Sequence, residues 1–141
     1  MRIAIELDVL GDTRPLWRDW LADAARVLDV EGLPEDRAAA AAELDSRGAG
    51  NWRTLLERFA EDRAPVYLRP ASEVSAALRA FHAEGTSIVV FTDAPAELAR
   101  VALGQLGASR RIDRVEAGTA TIDADVVVRT RDELLRLHRS A

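Results

Sequence analysis

The stretch Thr86–Phe91, TSIVVF, is a near-continuous apolar run of strand length. A half-buried strand alternates polar and apolar residues, whereas this run asks for cover on both faces. That points to a central strand of a parallel sheet with helices packed against it. The flanking sequence supplies the helices. Val74, Ala77, Leu78 and Phe81 recur at helical spacing and stop at Glu84-Gly85. Leu98, Val101, Ala102 and Leu106 do the same beyond the strand and stop at Gly107, which suits the left-handed residue after a helix end. Ile112–Glu116 and Asp125–Val128 read as further short strands. Thr130–Arg139 reads as a last helix, with Thr130 and Glu133 at capping-box spacing.

The N-terminal part has another rhythm. Arg2–Leu7 is a short buried strand, broken by Gly11-Asp12-Thr13. Thr13, with Pro15 close behind, opens a helix carrying Leu16, Trp17, Trp20, Leu21, Ala24 and Leu28 on one face. Gly32-Leu33-Pro34 leads into an alanine-rich helix that reaches about Leu44. After Gly48-Ala49-Gly50, Asn51 caps a third helix that aligns Trp52, Leu55, Leu56 and Phe59. All three tryptophans fall in this helical stretch. They read as its own core rather than the wall of a ligand pocket.

Composition excludes several classes. A net charge of -5 disfavours a nucleic-acid partner, which needs a basic face. There is no cysteine, so neither a disulfide framework nor a thiolate metal site is available. No apolar run is long enough to span a bilayer, and MRIAIELD meets charge too early for a secretory signal. A cytoplasmic protein without membrane contact is the expectation. All 19 basic residues are arginine, so no lysine can take part in chemistry here.

The opening IELDVLGDT, the segment 67–118 with VVFTDAP at its centre, and the closing ADVVVRTRDEL together resemble the haloacid dehalogenase (HAD) superfamily, whose members are mostly phosphatases. The resemblance implies a three-layer, Rossmann-type α/β core with a parallel sheet, formed by residues 1–14 and 65–141. It also implies a small helical cap, residues 15–64, inserted after the first strand. Ligands of open α/β sheets sit at the carboxyl ends of the strands. There the superfamily pattern places a nucleophilic carboxylate, a second carboxylate two residues on as acid and base, a hydroxyl at the second strand end, a lysine, and further acids for Mg²⁺.

This chain supplies those groups only in part. One register sets Glu6 at the nucleophile position and Asp8 at the acid/base position. The other makes Asp8 the nucleophile and puts Leu10 at the acid/base position. Either way one aspartate of the pair is missing, and both acids also read simply as polar residues ending a strand. Thr92 matches the hydroxyl position, ahead of a helix whose amides favour an anion. With Asp93 it forms the candidate ligand site, a helix N-cap being its plainer role. Arg110 and Arg111, the arginines considered for the missing charge, read as a solvated helix end. After Val128 the run Arg129-Thr130-Arg131-Asp132 flanks any metal with two arginines. Asp123 and Asp125 precede their strand, at the wrong end of the sheet. The stretch from Gly118 to Asp125 is too short for the helix that usually returns the chain to the sheet.

The expectation is therefore a HAD-like protein without phosphatase activity, acting as a binding or regulatory module for a small phosphate-containing ligand. No cofactor is fixed by the sequence. Mg²⁺ is the one the resemblance implies, with Asp8 as its candidate ligand. The alternatives are an Mg²⁺-dependent phosphohydrolase with atypical residues and an interaction protein forming a homodimer through a truncated sheet. His82 and His138 read as isolated and solvent-facing.

Overall fold

The computed structural model describes residues 1–140. Its centre is a four-stranded sheet of order β3-β2-β1-β4, parallel throughout. The strands are β1 (Arg2–Glu6), β2 (Ser87–Thr92), β3 (Arg114–Ala117) and β4 (Val126–Val128). The parallel α/β core read from sequence is present, with Ile3 beside Ile88 and Ile5 beside Val90. Between β1 and β2 come α1 (Leu7–Leu10), α2 (Arg14–Val27), α3 (Arg37–Ser46), α4 (Trp52–Tyr67) and α5 (Ser72–Ala83). α6 (Ala96–Gln105) follows β2, and α7 (Arg131–Arg139) follows β4.

Three local departures from the sequence reading matter for the site. β1 ends at Glu6, because Leu7–Leu10 forms a helical turn that buries Leu7, Val9 and Leu10. α3 starts at Arg37 rather than near Pro34, since the Asp36 carboxylate accepts the Ala39 N–H at 2.8 Å and fixes the helix start there. Thr13 precedes α2, yet its side chain does not cap that helix.

Strand alternation separates two faces. Ile3, Ile5, Ile88, Val90 and Val128 share a hydrophobic cluster with the buried residues of α5, α6 and α7. Trp17, Trp20 and Trp52 belong to the same cluster, with ring centroids 5.2 Å and 6.0 Å apart in sequence order. The tryptophans are core, but not a core private to the helical stretch. α4 packs along α6 and joins the two, and Arg53 on α4 pairs with Glu97 on α6 at 3.2 Å. Leu55, expected to face inward, is left at the surface while Trp52, Leu56, Ala60 and Ala64 turn in. His138 is half-buried, its ring edge-on to Phe81 at 6.0 Å, so only His82 fits the solvent-facing reading.

The opposite face carries Ala4, Val89 and Phe91, all buried but outside that cluster. β3 and β4 lie at opposite edges, so residues 118–125 must cross the sheet, and they do so without a helix. The crossing is tied down at its start. Thr119 N–H donates to the Thr92 carbonyl at 2.9 Å, and Arg129 donates to the Ala120 carbonyl at 3.2 Å while its guanidinium lies 5.1 Å from the Phe91 ring centroid. Among the described residues no helix is long and apolar enough to cross a membrane.

Candidate functional site

Parallel strands bring all their carboxyl ends to one edge, which places Glu6 at the end of β1 and Thr92 at the end of β2. The turn α1 then brings Asp8 back toward the entry of α2. Thr13 donates to Asp8 Oδ1 twice, from its N–H at 3.0 Å and from its hydroxyl at 2.6 Å. This explains why Thr13, fully buried, does not cap α2.

The other Asp8 oxygen receives a residue that sequence reasoning passed over. Arg37 Nη2 donates to Asp8 Oδ2 at 3.0 Å, and Arg37 Nη1 donates to Thr13 Oγ1 at 2.6 Å. Arg37 Nε donates to Asp93 Oδ1 at 2.8 Å, and the Arg37 backbone N–H donates to Asp93 Oδ2 at 3.2 Å. A longer contact of 3.5 Å reaches the Thr92 hydroxyl. The guanidinium is 6% exposed and sits between two carboxylates. A charge this buried requires such partners. Asp93 also serves the first turn of α3, where a backbone N–H lacks an intrahelical acceptor and a negative charge complements the helix dipole.

Arg129, read from sequence only as a charge flanking any metal, is the second arginine here. It follows β4 beside β1 and faces Glu6 at 3.6 Å. Burial raises the Glu6 carboxyl above its usual range. The neighbouring acids Asp8 and Asp93 push the same way, against Arg129 and Arg37. Neither arginine announces itself in the sequence, though a chain without lysine must use arginine for any buried cation. Arg110 and Arg111 lie in a 3-10 turn, Ser109–Arg111, outside the site. Asp125 accepts the Arg2 N–H at 2.8 Å at the amino end of the sheet, as its position before β4 implied.

The Thr92 hydroxyl already has a local partner. Ala94 N–H already donates to Thr92 Oγ1 at 3.1 Å, and Pro95, which starts α6, has no N–H. Asp93 turns its carboxylate to Arg37, and a carboxylate has no hydrogen to donate to an anion. Of the backbone donors after Thr92, the Ala94 N–H is thus engaged and Pro95 offers none, and neither Thr92 nor Asp93 caps α6.

A cavity of about 520 Å³ opens above these strand ends, large enough for a small ligand. Glu6, Asp8, Thr92, Asp93 and Arg37 form its polar end, and Trp17 and Leu21 of α2 form an apolar wall. Trp17 is therefore both core and cavity wall. The donor set does not suit Mg²⁺. Among the described residues no three acids or histidines converge as metal ligands, and Asp8 and Asp93 are already satisfied by Arg37.

Known structures resemble this arrangement. A crystal structure assigned as a β-phosphoglucomutase from Thermotoga maritima matches with a TM-score of 0.51 and 15% identity, covering 87% of this chain and 63% of that one. The fold is haloacid dehalogenase-like. A crystal structure assigned as a phosphoglycolate phosphatase from Haemophilus somnus matches with a TM-score of 0.51 and 15% identity, covering 86% of this chain and 64% of that one. The chain thus spans under two thirds of the length of either structure. No family model matches the sequence, and no curated protein matches it significantly.

Proposed function

We propose that this HAD-fold chain binds a small phosphate-containing ligand and does not hydrolyse it. One observation carries the reading: the guanidinium of Arg37 occupies both Asp8 and Asp93, the acids best placed to hold a metal or move a proton. Freeing them means stripping a buried cation of its partners, at about 3–5 kcal/mol. Asp8 is further bound by Thr13, and Glu6 carries an extra methylene where an aspartate is needed to attack phosphorus. The helices α2, α3 and α4 serve as a cap over the strand ends, held shut by Arg37.

Attraction for the ligand comes from the arginines that line the cavity: Arg14, Arg18 and Arg37. Arg14 is matched by Asp12 and Arg37 by two carboxylates, so affinity for inorganic phosphate is weak, about millimolar. NMR titration with phosphate, run beside an assay of p-nitrophenyl phosphate hydrolysis in Mg²⁺, tests both halves. Shifts around the cavity without turnover support the reading. Turnover abolished by Asp8→Asn would refute it, and shifts confined to residues far from the cavity would refute the binding half.

A further inference from the structure

The cavity does not end at Leu21. A second groove of about 300 Å³ continues from it along α2, and the two share Arg18 and Leu21. Arg14, Trp17, Arg18, Leu21, Ala22 and Ala25 mark successive turns of this one helix along the two spaces. Arg14 to Ala25 spans about 16 Å at the helical rise of 1.5 Å per residue. The character of the trough changes along that length. At the strand ends it is hydroxyl and charge; past Leu21 the walls are Ala22, Ala25, Val30 and Leu33. Arg18 stands at the junction and makes no ion pair among the described residues. Glu35 and Glu31 also border the two spaces and oppose an anion, so the head group must sit at Arg18 and not on the loop between α2 and α3.

From this geometry we infer that the ligand is a phosphate monoester of an apolar alcohol, its phosphate at Arg18 and its hydrocarbon body lying along α2 on Ala22, Ala25 and Leu33. The inference rests on the phosphate-binding reading above and adds the chemistry of the rest of the ligand. Phosphate fits the head better than carboxylate, because its larger charge and third oxygen let it meet Arg18 and Arg14 of the same cavity at once. The body must be apolar, because a polar one would lose its water against alanine, valine and leucine without gaining partners.

Calorimetric titration with inorganic phosphate, butyl phosphate, hexyl phosphate and hexanoate decides the matter on the unmodified chain. Each buried methylene contributes about 0.8 kcal/mol when fully covered. In an open trough roughly half that applies, so hexyl phosphate should bind about fourfold more tightly than butyl phosphate. Ala22→Trp, at an exposed helix position, should fill the trough and remove the chain-length gain. Arg18→Ala should weaken every phosphate about tenfold, as expected for a lost charged hydrogen bond. Equal affinity along the alkyl series would overturn the apolar body and spare the phosphate site. Hexanoate binding as tightly as hexyl phosphate would overturn the phosphate head. Binding of none of them would overturn both this inference and the reading beneath it.

Discussion

Arg37 meets Asp93 twice, its Nε on Oδ1 at 2.8 Å and its own backbone N–H on Oδ2 at 3.2 Å. One carboxylate thus binds a side chain and a helix start together, and so ties α3 to the end of β2. Replacing Arg37 with Met leaves Asp8 and Asp93 buried without their cation. The expected cost is about 3–5 kcal/mol in urea unfolding, with Arg37→Met/Asp93→Asn recovering part of it. A loss under about 1 kcal/mol would mean the pair is far more solvated than the 6% exposure of the Arg37 side chain implies.

Mg²⁺ should not stabilise the unmodified chain. A ligand that binds only the folded state stabilises it by an amount that grows logarithmically with the ratio of its free concentration to Kd, and here Arg37 already holds the acids a metal would need. Thermal melts with and without millimolar Mg²⁺ should coincide for the unmodified chain. In Arg37→Met the freed acids should give a measurable upward shift. A shift already present without the substitution would show that the metal displaces the guanidinium.

Glu6 sets a pH dependence whose sign follows from its raised carboxyl. The folded state keeps the proton to higher pH than the unfolded chain, which ionises near 4.5. Its favourable contribution is therefore complete below 4.5 and is lost as pH rises from there through the elevated folded value. Glu6→Gln removes that loss, so the variant should gain on the unmodified chain as pH climbs through this window. The side chain is a third exposed, which keeps the effect modest. Unfolding midpoints for the two proteins that differ by a constant amount at every pH would contradict this account.

Gly11 is required for space and not for backbone freedom. Its φ of -173° is extended and open to any residue, but an added Cβ would lie 2.9 Å from both Leu106 methyls and 3.3 Å from Leu68. Gly11→Ala must push flexible side-chain ends aside, at about 1–3 kcal/mol. Pairing it with Leu106→Ala should cost less than the sum of the two single changes, because the smaller residue vacates that contact. Additive losses would place the strain elsewhere.

The parallel sheet and its helices were legible because hydrophobic period and turn residues act locally: TSIVVF demands cover on both faces, and Val74, Ala77, Leu78 and Phe81 define a buried helix face wherever that helix docks. The absence of lysine was likewise a fact of the sequence alone. The use made of Asp8, Asp93 and Thr13 was not legible. Each has an ordinary local role as a turn, cap or strand-end residue, and nothing in local spacing joins Arg37 to Asp93 across 56 positions. Only tertiary packing, by laying the start of α3 over the ends of β1 and β2, made an arginine on a helix the buried cation of two half-buried carboxylates. Charge pairing at a distance depends on where the backbone finally lies, and that is decided by the burial of faces from several elements at once.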